Sequence, residues 1–533
     1  SSFAGALKPW LASRLWIRDG LSRLLDVHPD LVRCVPRARA LAANAAIAAQ
    51  GAAGSAGAPA VAVLVVDSAG AWPCTTLGRA SFDDGRLVVE ELESFAYPHS
   101  LGLLLTSFAV HAGFRARDEE ADFLALAPFG DPLLAERVRR MLRAQPDGTY
   151  CLDPWYFRFS RLDARADAVP WTPAFVDLCG PPRDSRRSWP FEPAGRGGPV
   201  APEDKRFADL AASLRLVLDA ALAGLARRAR LLAGADLLAL GGGVFADPAR
   251  VAALAHADSR PLAVPPDPGP GGAALGAAAL CAGETGVPVR LCGAAVGRAW
   301  EAQRDLDALE LVDPRYWQRF RRRGASPVGG LALRQQPVSP AVVAAALSGG
   351  AAVGWLLGRF GVGRGPDPGR CVLADPALPA AVRRVRRSIL GLPVMRGLVI
   401  GVPREAVASI VDDPGRVVAG QPWAAVQCQP TPSAADQFPE VLDAEGQVLV
   451  VVLDEAGPLA AVARALHTSM PALVLAPLAE EGWPPAGSPA DALIVFMRTD
   501  LDHLVLDTTL VTKERRCPTP PTGPAPAEPP SSP

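Results

Sequence analysis

The chain has 533 residues, which is enough for two or more domains with separate hydrophobic cores. Its formal net charge of −1 gives no overall field favouring nucleic acid or a membrane surface, and no apolar run reaches the length of a membrane span. Only three of its 54 basic residues are lysine, and the scattered arginines indicate a biased genome composition more than an anion-binding surface.

The nine cysteines show no paired spacing. We therefore expect free thiols in a reducing, cytoplasmic environment and neither a disulfide framework nor a zinc site. No secretory signal pattern is present. The sequence begins without methionine, and we expect an N-terminal part to be missing.

Apolar periodicity predicts short amphipathic helices within residues 1–30 and a buried strand over Ala60–Val66. The strand ends in a turn at Asp67. The next predicted elements are a strand at Leu87–Leu92, helices at Ser100–Ala112 and Pro132–Arg143, and a loop or insertion rich in Pro, Gly and Arg over residues 181–204.

Helix, strand and turn alternate between residues 209 and 282. Asp209–Leu232 predicts a strongly amphipathic helix, which is followed by a strand, a triple-glycine turn and a second helix capped by Asp247. A further strand and helix repeat the order. The predicted elements after the first helix are Leu237–Leu240, Gly241–Gly243, Asp247–Ala257, Leu262–Val264 and Ala273–Ala282. This alternation indicates a layered α/β domain.

A second unit is predicted from about Pro340. It begins with a helix and the strand Ala352–Leu357, which runs into a loop rich in glycine and arginine. The later predicted elements are strands at Leu398–Val402, Val448–Leu453, Ala472–Leu475 and Leu504–Val511, with helices at Pro458–Thr468 and Pro489–Arg498. This unit also mixes helices and strands.

Short motifs follow one another along both halves. In the first half they are DSAGAWPCTTLG (67–78), YPHSLGLL (97–104), LAPFG (126–130), DLAASL (209–214), LGGGV (240–244) and ALGAA (274–278). In the second half they are GW (354–355), GR (358–359), Gly363, Arg370, LADP (373–376), SPADA (488–492) and TDLDHLVL (499–506). Taken in order over residues 1–513, they resemble the carbamoyltransferase family, which includes nodulation and antibiotic-tailoring enzymes.

The resemblance implies an α/β protein with two lobes. An actin-like, ATPase-type lobe (ASKHA, Kae1-like) would span residues 1–295 and lack its first strands. A connector would span 296–335, and a YrdC-like α+β lobe that forms carbamoyl-adenylate would span 336–513. Residues 514–533 are rich in proline and too poor in apolar side chains for a core, and they predict a disordered tail.

The resemblance also implies a reaction. ATP and carbamoyl phosphate would give carbamoyl-adenylate, and the carbamoyl group would pass to a hydroxyl of a small molecule. Neither nucleic acid nor a membrane is implied as a partner, and the oligomeric state is not indicated. The candidate site residues are His99 and Asp67 for catalysis, Asp67 for a metal, and Gly241, Gly242, Gly243, Arg359 and Arg370 for the nucleotide or another anion.

Each of these assignments has a structural alternative. Asp67 is either a metal ligand or a turn-forming aspartate at a strand end. His99 either donates a proton or precedes the Ser100 helix cap without a chemical role. The glycines at 241–243 either let amides approach a phosphate or form a tight turn. The residues alone leave these alternatives open.

The metal site that the resemblance implies is incomplete. The family's metal histidines match the stretch Ala40–Ala46, which contains none. Its second aspartate matches Pro270; Asp267 is a candidate substitute, although prolines on both sides fix the backbone there. We therefore expect ATP as a cofactor and a divalent metal, Mg or Fe, only with an incomplete ligand set. Asp122 stands where the family has a lysine.

The loop of the second unit has lost most of its implied anion contacts. Arg359 and Arg370 remain and Arg364 is displaced by one residue, while the family's acid, other arginine, asparagine and serine match Gly361, Gly365, Gly369 and Cys371. A polar stretch further on matches the apolar residues 475–479. We interpret the loop as a remnant of a phosphate site. The alternative function is a catalytically inactive paralogue that binds nucleotide or acts as a scaffold.

Overall fold

The computed structural model describes residues 16–53, 60–68, 72–83, 86–116, 119–159, 169–184, 189–190, 201–289, 291, 331–359, 361–363, 365, 367–391, 396–418, 425–480 and 483–515. Arg364, most of the predicted connector and all but the first two residues of the predicted tail lie outside these ranges. No helix within them is long and apolar enough to cross a membrane.

The described residues from 16 to 291 form the first lobe. Its helices are α1 (Ile17–Leu25), α2 (Arg37–Ala53), α3 (Leu101–His111), α4 (Glu120–Leu124), α5 (Ala135–Met141), α6 (Pro173–Cys179), α7 (Pro202–Ala233), α8 (Pro248–Ala257) and α9 (Pro270–Glu284). Its strands are β1 (Val61–Val66), β2 (Pro73–Asp83), β3 (Arg86–Ala96), β4 (Leu142–Ala144), β5 (Tyr150–Leu152), β6 (Leu238–Gly241) and β7 (Leu262–Ala263).

Five of these strands form one sheet in the order β3-β2-β1-β6-β7. The pairs β1–β2 and β2–β3 are antiparallel, whereas β1–β6 and β6–β7 are parallel. Each residue of β1 is buried, because helices cover both faces of the sheet. The alanine-rich α2 and α9 contribute to the core on one face, and α3 and α7 contribute to the core on the other.

The predicted helix after the 181–204 segment begins earlier than expected. α7 starts at Pro202, so the last residues of the predicted loop are helical and that boundary was wrong. Proline suits the first position of a helix, and Glu203 and Asp204 in the first turn favour the positive end of the helix dipole. The predicted cap at Asp247 is confirmed, since its side chain accepts a hydrogen bond from the amide of Ala249.

A buried histidine lies in the aromatic core of this lobe. His111 is fully buried among the rings of Trp171, Phe175 and Phe207, and its Nε2 lies 2.9 Å from the carbonyl oxygen of Gly180. Burial lowers the pKa of His111 from 6.5 to about 4, against the opposing effect of the hydrogen bond to Gly180. The imidazole is therefore neutral in the folded protein at neutral pH.

Acidification should therefore destabilise the first lobe through His111. The folded pKa lies below the unfolded value, so the stabilising effect is complete above about pH 6.5 and is lost as the pH falls towards 4. We expect His111 to account for about 2 kcal/mol of unfolding free energy lost between pH 7.5 and pH 5. Urea unfolding of the wild type and His111→Phe at both pH values checks this, because the stability gap between them should narrow by that amount on acidification. An unchanged gap would contradict it.

The described residues from 331 to 515 form the second lobe. Its helices are α10 (Pro340–Ser348), α11 (Pro379–Arg384, followed by a π-helical turn at Val385–Ile389), α12 (Val407–Ile410), α13 (Pro414–Val418), α14 (Pro432–Gln437), α15 (Pro458–Leu466) and α16 (Pro489–Arg498). Its strands are β8 (Leu331–Pro337), β9 (Val353–Leu356), β10 (Arg370–Ala374), β11 (Val399–Pro403), β12 (Val426–Cys428), β13 (Val448–Leu453), β14 (Leu473–Pro477), β15 (His503–Leu506) and β16 (Thr509–Arg515).

All nine strands join one mixed sheet in the order β12-β13-β11-β14-β10-β9-β15-β16-β8. Cores lie on both faces, one including α11 and α16 and the other α10 and α15. The single strand predicted at Leu504–Val511 was wrong. It is a hairpin of β15 and β16, which turns at Asp507 with a φ of 52°. The sheet includes β8, so it begins before the predicted lobe boundary at residue 336.

Candidate functional site

The carboxyl ends of three parallel strands meet at one edge of the first-lobe sheet. Val65 of β1 lies opposite Gly241 of β6, and β7 runs parallel to β6. Loops that follow parallel strands open at the same edge, which is where ligands bind in sheets of this kind. Asp67, Gly242 and Asp267 each follow one of these strands. We call this edge the strand-end site.

Asp67 lies between a backbone amide and an arginine. Its Oδ1 accepts a long hydrogen bond from the amide of Gly243 at 3.4 Å. Its Oδ2 accepts from Nε of Arg37 at 2.6 Å. The side chain of Asp67 is 11% exposed and that of Arg37 is 31% exposed. The structure thus brings together two residues singled out from the sequence, Asp67 and Gly243, and adds Arg37.

Gly242 has φ 100° and ψ 155°, a conformation open almost only to glycine. A Cβ built on it would lie 2.0 Å from the carbonyl oxygen of Val66. Its amide donates to the carbonyl of Pro268 at 2.6 Å. The amides of Gly242 and Gly243 therefore both have protein acceptors, while Gly241 is the last residue of β6. Contact between these glycines and a nucleotide phosphate stays a prediction.

Asp267 reaches the strand-end site despite its flanking prolines. Its Oδ1 accepts from the amide of Gly269 at 2.7 Å, and its carbonyl accepts from Nδ2 of Asn44 at 2.8 Å. A Cβ built on Gly269 would lie 3.8 Å from Cα of Gly243, which places this turn against the glycine turn. Asn44 is fully buried, and its Oδ1 has no hydrogen-bond partner among the described residues.

His99 is anchored through one ring nitrogen. Its Nδ1 accepts a hydrogen bond from the amide of Leu152 at 3.1 Å, so the neutral ring carries its proton on Nε2. Ser100 caps α3 by accepting from the amide of Leu103, as predicted, and its hydroxyl lies 3.1 Å from the carbonyl oxygen of Asp67. The cap thus joins the start of α3 to the strand-end site. A catalytic role for His99 would use Nε2 and stays a prediction.

The loop between β9 and β10 is organised by a buried aspartate. Oδ2 of Asp367 accepts from the amide of Gly361 at 2.6 Å, and Oδ1 accepts from the amide of Gly369 at 3.0 Å. A Cβ on Gly361 would lie 2.1 Å from the Asp367 carboxylate, so glycine is required for this close approach. Gly361 occupies the position of the acid that the family resemblance implies, and it here accommodates a different carboxylate.

Arg370, the first residue of β10, is also buried within this loop. Its guanidinium donates to the carbonyls of Gly361 and Gly363, both at 3.3 Å, and to that of Ala486 at 3.0 Å. Burial lowers the pKa of Arg370. Arg359 is exposed instead. Arg370 thus holds the loop in place, and binding of an anion by Arg359 or Arg370 stays a prediction.

The loop of the second lobe reaches the strand-end site of the first. Gly363 has a φ of 109°, and a Cβ built on it would lie 3.1 Å from the carbonyl oxygen of Pro266 and 3.2 Å from Cβ of Asp267. Nearby, a Cβ on Gly271 would lie 3.9 Å from a methyl group of Val362. The candidate residues of the two lobes therefore meet in one region.

A second contact between the lobes involves the aspartate that stands where the resemblance implies a lysine. Asp122 is buried, and its Oδ1 accepts from Arg396 of the second lobe at 3.3 Å. Burial raises the pKa of Asp122, while the Arg396 charge opposes that rise. The carboxylate at this position is thus paired with a cation of the other lobe.

The apolar stretch that replaces a polar family motif is part of the second-lobe core. Leu475 and Ala476 belong to β14, and Leu478 follows it; all three are buried. These side chains pack against other apolar residues and offer no polar contact to a ligand. The described structure therefore lacks the polar side chains that the family resemblance implies for this stretch.

The residues around Asp67 do not fit a divalent metal ion. The described part of the chain contains no group of three or more His, Cys, Asp or Glu side chains that could hold one. Both carboxylate oxygens of Asp67 already have partners, and one partner is the cation Arg37. Asn44, at a position matching the family's histidines, is turned to the backbone of Asp267. We derive no chemical step through a metal held by the protein.

Two family models match the chain. A model described as the carbamoyltransferase N-terminus matches residues 58–279, and one described as the carbamoyltransferase C-terminus matches residues 344–513. The chain belongs to the carbamoyltransferase family.

The chain is similar in sequence to part of a longer protein. It is 27% identical over 288 residues to the uncharacterized protein sll1178 of Synechocystis sp., and the matched part is 52% of this chain and 42% of the relative. The chain thus spans less than half of that protein.

Parts of two solved structures of HypF are also similar to parts of this chain. Full-length HypF in the phosphate- and nucleotide-bound form matches with a TM-score of 0.23 and 16% identity over 35% of this chain and 23% of that one. HypF of T. kodakarensis matches with a TM-score of 0.25 and 16% identity over 40% of this chain and 26% of that one. Scores of this size do not support an assignment of either lobe.

The site residues that were not singled out from the sequence include Arg37 and Asp367. Arg37 begins α2 one helical turn before Ala40, the first position matching the family's histidines, so its place in the chain was an available signal. Asp367 lies in a Pro-Asp-Pro-Gly sequence that is typical of aspartate turns. The Pro-Asp-Pro-Gly sequence accounts for the contact of Asp367 with the amide of Gly369. Its contact with Gly361 and the pairing of Arg37 with Asp67 depend instead on the folded chain.

Proposed function

We propose that this chain is an O-carbamoyltransferase. Water would hydrolyse carbamoyl phosphate to carbamate and inorganic phosphate. A carbamate oxygen would then attack the α-phosphorus of ATP, so that pyrophosphate leaves and carbamoyl-adenylate forms. A hydroxyl oxygen of a small-molecule acceptor would then attack the carbamoyl carbon, and AMP would leave. Membership of the family over both halves supports this reaction. The observation that carries it is the contact of the Gly363 loop with Asp267, because two half-reactions need two sites in communication.

We also propose the lobe assignments. Antiparallel strands β3-β2-β1 beside parallel β1-β6-β7, with helices on both faces, support an actin-like ATPase-type first lobe. The nine-stranded mixed sheet supports a YrdC-like second lobe. We keep the first lobe at 1–295 as a proposal. Strands β8 and β16 extend the second lobe beyond its predicted limits of 336–513, to Leu331 and Arg515, so the proposed connector after residue 295 ends before β8 and the proposed tail begins after β16. We place the protein in the cytoplasm, since its described cysteines form no disulfide.

The proposed role of each side chain follows from the hydrogen bonds that it already makes within the protein. Asp67, held by Arg37 and Gly243, would orient the substrates at the strand-end site. His99 would donate or accept a proton through Nε2, because its Nδ1 is already occupied. Any magnesium would arrive with ATP as part of the substrate.

A turnover assay tests the proposal. The protein is incubated with ATP, carbamoyl phosphate and a panel of hydroxylated acceptors, and we expect pyrophosphate, AMP and a carbamoylated acceptor. Asp67→Asn should reduce the rate about 100-fold if Asp67 positions substrate, whereas Asp26→Asn, at an exposed residue, should leave it unchanged. Absence of pyrophosphate at high protein concentration with every acceptor would contradict the enzyme.

The second candidate function is an inactive paralogue that binds nucleotide or acts as a scaffold. The apolar residues at 475–479, all buried except Pro477, favour it, because they replace polar contacts of the family. So does Arg370, whose guanidinium donates to three backbone carbonyls. Calorimetry separates the candidates. Binding of ATP together with pyrophosphate release supports the transferase, whereas binding without turnover supports the paralogue.

A further inference from the structure

One face of α2 contacts the strand-end site. Arg37, Ala40 and Asn44 are spaced three and four residues apart, so they lie on the same side of the helix. The first contacts the carboxylate of Asp67, and the last contacts the backbone of Asp267. The helix therefore presents a cation and an amide to the two acidic residues of the site.

The Arg37–Asp67 pair occupies the place where the family resemblance puts a metal. A divalent ion binding Asp67 would have to displace a guanidinium at 2.6 Å or lie beside its positive charge, and like charges at such distances repel. Arginine stays charged at any physiological pH, so this neutralisation of Asp67 is permanent. The positive charge of Arg37 beside Asp67 therefore disfavours a metal ion at this position.

Arg37 also has donors to spare. A guanidinium carries five N–H groups, and the described residues accept a hydrogen bond from Arg37 only at Nε. The side chain is 31% exposed, so part of it is accessible to a ligand. Two terminal nitrogens in a planar fork match the geometry of two phosphate oxygens.

We propose that Arg37 stands in for the metal ion of this lobe. Its guanidinium supplies the positive charge beside Asp67 and binds a phosphate group of the nucleotide directly, so phosphate binding here needs no metal held by the protein. This inference rests on the proposed use of ATP and adds the group that recognises its phosphates. It also explains why Asp67 persists where the histidines are missing, because the carboxylate orients the arginine.

Calorimetry on the full chain tests this with two probes, tripolyphosphate and ATP, each in metal-stripped buffer containing EDTA. We expect the wild type to bind both probes under these conditions. Arg37→Gln should weaken both about 10- to 100-fold, the usual effect of losing a charge-assisted pair. Arg37→Lys should weaken them less, because it keeps the charge and loses the fork. The matched control is Arg39→Gln, at an exposed position of the same helix, which should change neither affinity.

Two further variants guard against loss of folding. If Arg37→Gln is unstable because Asp67 is left unpaired, Arg37→Gln/Asp67→Asn removes both charges and should fold while binding phosphate as weakly as the single variant would. Equal phosphate affinity of the wild type and that double variant would overturn the proposal. So would phosphate binding that appears only after Mn²⁺ or Fe²⁺ is added, stoichiometric uptake of either metal by the stripped wild type, or no binding of either probe by folded protein.

The outcomes separate this inference from the proposed function. Phosphate binding that depends on Arg37, without pyrophosphate release in the presence of carbamoyl phosphate, supports the inference and contradicts the enzyme. Turnover that survives Arg37→Gln unchanged, or that requires an added transition metal, supports the enzyme and contradicts the inference.

Discussion

Replacing Gly242 by alanine is expected to reduce the unfolding free energy by about 3–5 kcal/mol. The added methyl would lie 2.0 Å from the carbonyl oxygen of Val66, well inside van der Waals contact, and the backbone at φ 100° is unfavourable for alanine. Relief requires separating the ends of β1 and β6. Urea unfolding monitored by circular dichroism measures the loss.

Gly234 provides the matched control for this substitution. It also has a positive φ, 61°, at the end of α7, but a Cβ there meets nothing within 4 Å. Gly234→Ala should therefore cost only the backbone strain of about 1–2 kcal/mol. The difference between the two variants isolates the overlap with Val66. Equal losses for both would show that the turn after β6 is less confined than the structure has it.

The same substitution should affect ligand binding. The amide of Gly243, next in the chain, donates to Asp67, and the amide of Gly242 donates to Pro268. Moving the turn would shift both the carboxylate and the Asp267 segment. Folded Gly242→Ala protein is therefore expected to bind tripolyphosphate more weakly than Gly234→Ala, which leaves the strand-end site untouched.

Local sequence signals were sufficient to predict an element where its ends are marked by a capping residue or by the limits of an apolar run. Asp247 followed by Pro248 set the start of α8, and Ser488 followed by Pro489 set the start of α16. The apolar run of β13 was found with its observed bounds. In each case a cap or an apolar run defines the element without reference to distant residues.

Some elements that are buried on most sides were not predicted from the sequence, because they lack the alternation of apolar and polar residues that reveals a helix or a strand. α2 is rich in alanine and buried on most sides, so it shows little of the periodicity that reveals an amphipathic helix. β2 buries Thr75 and Thr76 together with apolar neighbours, which conceals a strand alternation. The turn at Asp507 lacks glycine or proline, so the β15–β16 hairpin read as one strand.

The candidate site was predictable in part for the same reason. Asp67 and the glycine turn follow adjacent parallel strands, and the strand pattern alone places them at one edge of the sheet. The partner of Asp67 was not predictable, because Arg37 lies 30 residues away and reaches it only through the docking of α2. Arg370 was expected to face a ligand, and only the packed loop reveals its three backbone acceptors.

The docking of α2 against α9 depends on small residues in α9, and Gly276 makes the closest approach to the backbone of α2. A Cβ built on Gly276 would lie 1.7 Å from the carbonyl oxygen of Ala40 and 2.8 Å from the amide nitrogen of Asn44. Gly276→Val should therefore reduce the unfolding free energy by about 3–5 kcal/mol, because the two helices must separate and leave gaps in an alanine core. Ala278→Val, at an exposed position of the same helix, should cost about 0.5 kcal/mol through helix propensity alone.

Hydrogen exchange locates the effect. If Gly276 sets the spacing of α2 and α9, its valine variant should lose amide protection in both helices, while the strands of the second lobe stay protected. Arg37 begins α2, so the same separation should loosen its contact with Asp67 and weaken tripolyphosphate binding along with stability. Loss of stability with unchanged phosphate affinity would place phosphate recognition elsewhere, since a site built on α2 cannot keep its geometry when α2 has moved.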